Sequence, residues 1–417
     1  MSAKPSVVYL AAALIIGILI GAGIGYVLAA APGMGATAAG QLPSEVPIGA
    51  LLPLSGALSS YGENGKNALI LAEEDINDYV HNTLGLNITF KIYVEDTKTS
   101  PDGALEAVKS LAAKGIKVYL GPYASSEAGK VLSYLKENNL VTISPSSTFP
   151  GLAIAGDPLF RTVPTDVTQG KALAHIIWQS GIRKLVLVYR NDDWGVGLNN
   201  AIKENFEAMG GTTTSIPYDP YAAVYSAEVS KIVDAVNAFG AGPDVGIVLI
   251  SFEDDGIGIL SLAKNYDVLM NVKWFGTDGI AYSSRIAESV GDVVSKVFVG
   301  STIYTPAKSV KRDQFIERYR SRFGIDPHPY SMNLYDSAWI AALAILEARV
   351  YDGAAVAKVI PEVANKYFGV TGWTALDDAG DRAYGDYAIT TVKLVEGKYV
   401  WQDVGVYNAA AGTVQWY

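Results

Sequence analysis

Short apolar runs in this sequence are repeatedly followed by a turn that carries a hydroxyl, an aromatic ring or an acid. "GPYASSEAG" (121–129) follows Val118-Tyr119-Leu120 and offers Tyr123 and Ser125 ahead of a helical pattern. "SPSSTFPG" (144–151) brings Ser146, Ser147 and Thr148, and "SGALSSYGENG" (55–65) brings Tyr61. "RNDDWGVGLNN" (190–200) brings Trp194, "SFEDDGIG" (251–258) brings Phe252, and "FGTDGIAYSS" (275–284) brings Asp278. Each group has a structural use: Ser125 or Ser126 before a helix is a good N-cap, and Asp in Thr-Asp-Gly forms turns. Gathered together, they also make a binding site. Helix N-termini attract carboxylates, Asp278 would hold an ammonium through charge-assisted hydrogen bonds, and Tyr61, Trp194 and Phe252 would take a side chain. The set suits a small zwitterion.

The elements that must position these turns are legible as alternating patterns. Candidate strands are Ile48–Leu54, Ile88–Val94, Val118–Leu120 and Val141–Ser144, then Leu185–Tyr189, Thr213–Pro217, Val245–Ile250 and Val272–Phe275. Helical patterns cover about 64–80, 102–114, 127–137, 168–180, 197–208, 226–239 and 255–265. Strand–helix alternation of this length predicts an α/β chain with parallel sheets covered on both faces. The alternation restarts after "LFRTVPTDVTQG" (159–170), which predicts two similar Rossmann-like lobes. In such sheets, ligands bind beyond the carboxyl ends of the strands. The turns above lie at those ends.

Composition narrows the function. The chain has 417 residues, half of them hydrophobic and 18% charged, so a large core can form. A net charge of −10 leaves no basic surplus for a nucleic-acid partner. The absence of cysteine removes disulfides, thiolate metal sites and a cysteine nucleophile. Between Lys4 and Glu45 there is no charge, and Val7–Leu28 is apolar or small throughout, long enough to span roughly 30 Å of hydrocarbon. Residues 1–31 are therefore expected to be a membrane anchor or a signal segment, with a flexible tether over 32–45. Either outcome exports the body: a single-pass anchor leaves it outside the cell membrane, and cleavage after Ala29-Ala30-Ala31 secretes it.

In order and spacing, "IGALLPLSGALSSYGENGKNALILAEEDIN" (48–77), "GPYASSEA", "VTISPSSTFPGLA" (141–153), "LFRTVPTDVTQGKALA" (159–174), "NDDWGVGLNN", "FGTDG", "YSMNLYDSAWIAALAI" (330–345) and "GVTGWTALDDAGDRAYGDYAI" (369–389) carry a resemblance. The chain resembles type I periplasmic binding proteins, most of all the branched-chain amino-acid (Leu/Ile/Val) binding proteins of ABC importers. That resemblance implies two lobes joined by a three-segment hinge near Val163–Thr165, Ser301–Tyr304 and Asp386–Ile389. One lobe would comprise 46–163 plus 304–387 and the other 164–303 plus 388–417. It implies that Ser125, Thr148 and the backbone of Ser146 hold a ligand carboxylate, that Asp278 receives the ammonium, and that Trp194 and Phe252 are the aromatic walls. Tyr61 matches a lid tyrosine, and Tyr123 stands where many members carry a smaller residue. Trp in place of the usual Tyr, and Asp in place of Glu, point to bulkier amino acids, amides or aromatic acids. The implied partners are a small-molecule ligand, an ABC permease and the membrane, with no cofactor.

An exported enzyme and a sensor of the same fold are the alternatives. The enzyme would need an acid pair such as Glu253-Asp254-Asp255, but that run reads as a solvated helix start. His81, His175 and His328 are dispersed, and no H-E-x-x-H, G-x-S-x-G or P-loop pattern occurs. Neither catalytic nor metal-ligating residues are expected. Asn87-Ile88-Thr89 is a glycosylation sequon in an exported chain, or the edge of a strand.

Overall fold

A computed structural model of the chain describes residues 42–417. The expected membrane segment Val7–Leu28 lies outside the described residues, as does most of the tether. Among the described residues, no helix is long and apolar enough to cross a membrane.

The first layer is built from β1 (Glu45–Leu52), α1 (Ser59–Asp78), β2 (Thr89–Asp96), α2 (Pro101–Ala113), β3 (Val118–Leu120), α3 (Ser125–Glu137), β4 (Val141–Ser144) and β5 (Leu159–Arg161). Its sheet has the order β2-β1-β3-β4-β5 and every pairing is parallel. Val46, Ile48, Ala50, Leu52, Val118, Leu120, Val141 and Ile143 are buried, which is why these strands read as continuous apolar runs. Gly49 sits in β1 because an added Cβ would meet the Tyr119 ring of the neighbouring β3 at 2.6 Å. Asn87 is exposed just ahead of β2, and Thr89 is that strand's first residue.

The second layer follows with α4 (Asp166–Gln179), β6 (Lys184–Arg190), α5 (Asp193–Ala208), β7 (Thr212–Tyr218), α6 (Ser226–Ala238), β8 (Val245–Ile250), α7 (Glu253–Ala263), the short α8 (Asp267–Met270), β9 (Lys273–Gly276), α9 (Ser284–Val297) and β10 (Phe298–Thr305). Three helices come next: α10 (Val310–Phe323), α11 (Pro329–Ala348) and α12 (Gly353–Lys366). They pack on the first layer, with α11 against α1, β3 and β4. A small hairpin, β11 (Phe368–Gly369) with β12 (Gly372–Trp373), precedes β13 (Asp386–Val395), β14 (Lys398–Asn408) and β15 (Thr413–Trp416). The second sheet runs β15-β14-β13-β10-β9-β8-β6-β7. Its β7-to-β10 part is parallel and its β13–β15 edge antiparallel. The chain thus passes between layers after β5, after β10 and again before β13.

The strands expected over 118–120, 141–144 and 245–250 fall within the same limits. Four helices from Ser284 onward and the strands from Phe298 onward were not legible as elements.

Candidate functional site

The turns at the strand ends converge between the two layers. A pocket there is lined by Leu58, Tyr61, Tyr123, Ala124, Ser125, Ser146, Trp194, Phe252, Asp278, Gly279 and Tyr330. Of the residues expected at a site, Tyr61, Tyr123, Ser125, Ser146, Trp194, Phe252 and Asp278 are brought together, and Thr148 stands one residue behind. The pocket is closed down to ≈ 20 Å³, room for one or two waters. Larger hollows, ≈ 420 Å³ beside α12 and ≈ 600 Å³ beside Tyr221, carry charged groups of both signs but share no residue with this pocket.

Ser125 is not the helix cap that its sequence context suggested. Ala124 occupies the N-cap position, and its N–H donates to Glu127 Oε2 at 3.1 Å. The cap role passes to glutamate, and the Ser125 hydroxyl is free for other work. Its oxygen accepts from Thr148 N–H (3.2 Å), Phe149 N–H (3.2 Å) and Ser147 Oγ (3.1 Å). With its acceptor capacity used, its own O–H remains to be donated. The start of a 13-residue helix stands beside it, with N–H groups that favour an anion. Thr148 donates its hydroxyl to Asp166 Oδ2 at 3.0 Å instead of facing the pocket. The 146–149 turn is fixed from below by Arg161, which donates to Ser147 O and Phe149 O (2.7 Å) while fully buried against Asp381.

Asp278 is 4% exposed and follows β9. Its Oδ1 accepts from Gln169 Nε2 at 2.8 Å and its Oδ2 from the Tyr330 hydroxyl at 2.7 Å. Burial pushes this carboxyl up to about 6. Gly279 must lack a side chain, because a Cβ there would meet Ser251 O at 2.3 Å and the Trp194 ring at 2.7 Å. Trp194, in the first turn of α5, stacks on Phe252 with centroids 4.9 Å apart. The Arg190 guanidinium covers the other side of Phe252 at 3.6 Å, held by Asp192 and Asp255. The stack is a rigid wall.

Three features escaped the sequence. Tyr330, in the first turn of α11, is a pocket residue; the only local signal is His-Pro-Tyr at a helix start. His328 is buried and its ring lies 4.1 Å from that of Tyr61. Its Nδ1 accepts from Tyr330 N–H at 3.2 Å, so the neutral ring carries its proton on Nε2 and donates to Ala281 O at 3.1 Å. Burial pushes His328 down to about 4. The acid run at 253–255 is not solvated as a whole either: Asp254 is exposed, but Glu253 is 0% and Asp255 1% exposed. Glu253 accepts from the hydroxyls of Ser60 and Ser283, and Asp255 from the Tyr218 hydroxyl, which explains how these acids tolerate burial. Ser60 comes from the first layer, so Glu253 ties the two together. None of these acids sits with two others or a histidine as a metal cluster among the described residues.

Comparison with known proteins agrees with this architecture. The periplasmic binding protein family model matches residues 45–398, and the chain belongs to that family. An uncharacterised protein of Methanocaldococcus jannaschii is 33% identical over 399 residues, covering 91% of this chain and 94% of its own length. The solved leucine binding protein LivK of Thermotoga maritima superposes with a TM-score of 0.74 at 21% identity, covering 88% of this chain and 99% of that one. An ABC-transporter solute binding protein from Rhodopseudomonas palustris, in complex with 3,4-dihydroxybenzoic acid, has a TM-score of 0.71 at 17% identity, covering 88% and 98%. The family is one of solute-binding proteins, not enzymes. By family, this chain is a solute-binding protein.

Proposed function

We propose that the protein captures an amino acid with a free ammonium group outside the cell and presents it to the permease of an ABC importer. One observation carries this reading: Asp278 is a buried carboxylate in a pocket wall that contains no cationic side chain. Its two protein partners leave lone pairs for a further donor. A solute's ammonium supplies both the donor and the missing charge. Across the pocket, the free Ser125 O–H and the N-terminus of α3 suit the carboxylate, with Ser146 beside them. Thr148 acts from behind by donating its N–H to Ser125.

Trp194 and Phe252 favour a bulky or branched apolar side chain, consistent with the leucine ligand named for the Thermotoga protein. An aromatic acid without an amine, as in the Rhodopseudomonas complex, would bring a second anion towards Asp278 with nothing to offset it. Tyr61 and Tyr123 close the pocket on the α1 and α3 sides. In this reading the layers act as lobes that part to admit the solute and close on it by bending at the three crossings.

Val7–Leu28 serves as the membrane anchor that keeps the body near the permease. Mature protein retaining these residues and fractionating with membranes is the expected result; a soluble product starting beyond Ala31 contradicts the anchor. The ligand class is tested by a thermal-shift screen against amino acids, amides and aromatic acids. A solute at about 100 times its Kd adds roughly 2.7 kcal/mol. Stabilisation by branched or aromatic amino acids supports the reading, and stabilisation by amine-free acids alone refutes it.

A further inference from the structure

Behind Asp278 lies a second carboxylate that solute capture as described does not use. Asp166, the first residue of α4, is 0% exposed and takes the Thr148 hydroxyl on Oδ2. Gln169 stands three residues on, on the same helix face, and donates to Asp278 Oδ1. One helical turn therefore holds both acids in a single dry cluster. Among the described residues, three of its atoms have no partner: Asp166 Oδ1, Gln169 Oε1 and the Tyr387 hydroxyl. Two of these can only accept while Asp166 is ionised. A proton on Asp166 turns one acceptor into a donor and relieves the deficit.

The surroundings supply no free positive charge. Arg161 acts on Asp166 from β5 but is bound by Asp381. Tyr330 from α11 and Tyr387 from β13 face both acids, with Tyr304 of β10 beyond Tyr387. The Tyr61 hydroxyl bonds to the main-chain oxygens of Asp278 and Ala281 and not to the Asp278 carboxyl, and His328 beside it is held neutral by burial.

We propose that Asp166 and Asp278 share one proton in the ligand-free cleft and release it when a solute's ammonium docks on Asp278. The inference rests on the ammonium reading above. Burial raises the proton affinity of both groups, and the Asp278 charge raises that of Asp166 further. Two like charges in a dry site resist joint ionisation and titrate as a pair. The arriving ammonium is the cation that lets both ionise. A carboxyl O–H bond breaks, the proton leaves to solvent, and the carboxylate keeps the electron pair. Capture then strengthens as pH rises through the titration, by up to about tenfold in Kd per pH unit for one whole proton. Asp166 is a positioning residue: it sets the charge of Asp278 without lining the pocket.

Calorimetric titration of the full-length protein with L-leucine and L-phenylalanine, in buffers of different ionisation heat between pH 5 and 8, counts the proton directly. Wild type is expected to release a proton on the acid side of this range, and Asp166→Asn to lose that release or shift it by about one pH unit downward. Equal release in both proteins, or none in wild type, overturns the proposal. If neither amino acid binds, that result counts against the ammonium reading, and carboxyl-carbon NMR of the ligand-free protein still decides the shared proton. Two separated steps, assigned with Asp166→Asn and Asp278→Asn, support it. Independent titration of each acid, unmoved by removal of the other, overturns it.

Discussion

Tyr61 reaches across the cleft from α1 and places its hydroxyl 3.0 Å from the main-chain oxygen of Asp278 and 2.9 Å from that of Ala281. The first layer thereby grips the loop that carries the pocket's acid. Together with Ser60–Glu253 and the Glu253 N–H to Ala57 O bond (3.1 Å), this ties the two layers to each other.

Tyr61→Phe removes that tie and keeps the ring against His328. A net hydrogen bond of about 0.5–1.5 kcal/mol corresponds to roughly 2- to 12-fold in the closing equilibrium. The variant is expected to bind its solute weaker by that factor, with a larger ligand-free radius of gyration by small-angle scattering. Unchanged affinity and radius would remove Tyr61 from the closure.

Glu127 is 0% exposed and caps α3 beside the pocket. Burial pushes it up from 4.5 to about 7. The folded state holds this proton more tightly than the unfolded chain, so its stabilising effect is complete below pH 4.5 and is lost as pH rises towards 7. In urea unfolding, Glu127→Gln should gain stability relative to wild type across that window. A difference that does not vary with pH contradicts this.

Arg161 and Asp381 form a bidentate pair at 0% and 1% side-chain exposure. Removing one partner of such a pair leaves a buried charge and costs about 3–5 kcal/mol. Asp381→Asn is expected to destabilise the protein on that scale. Because Arg161 also holds Ser147 O and Phe149 O, the variant should weaken solute binding as well. A loss below about 1 kcal/mol contradicts this.

What the sequence disclosed follows from burial. Strands such as Val118–Leu120 and Val245–Ile250 are covered on both faces, so they are unbroken apolar runs bounded by turn residues. The turns that follow them carry most of the pocket for the same topological reason. Helix α11 hides because its buried face includes Asn333, Asp336 and Ser337, which blur the helical period, and Tyr330 was missed with it. Glu253 was misread because its partner Ser60 lies 193 residues away. Strand β10 mixes Gly, Ser and Thr into a buried stretch, and the β13–β15 edge sets polar residues such as Thr390, Thr391, Gln402 and Asp403 among its apolar ones in a chain otherwise read as parallel. Thr148 stands beside Ser125 and donates its N–H to that hydroxyl, but nothing in its sequence context discloses that its own hydroxyl is committed to Asp166.

The proposed ammonium site at Asp278 is tested most directly by calorimetric titration of wild type and Asp278→Asn with L-leucine and L-phenylalanine and with their amine-free counterparts, 4-methylpentanoate and 3-phenylpropanoate. Losing one partner of a buried charge pair typically costs about 2–5 kcal/mol, or roughly 30- to 5,000-fold in Kd. Wild type should bind at least one amino acid more than about tenfold tighter than its counterpart. Asp278→Asn should erase that preference while leaving the ligand-free melting temperature nearly unchanged. Equal or tighter binding of the amine-free acid by wild type, or unaltered amino-acid affinity in Asp278→Asn, would contradict the account.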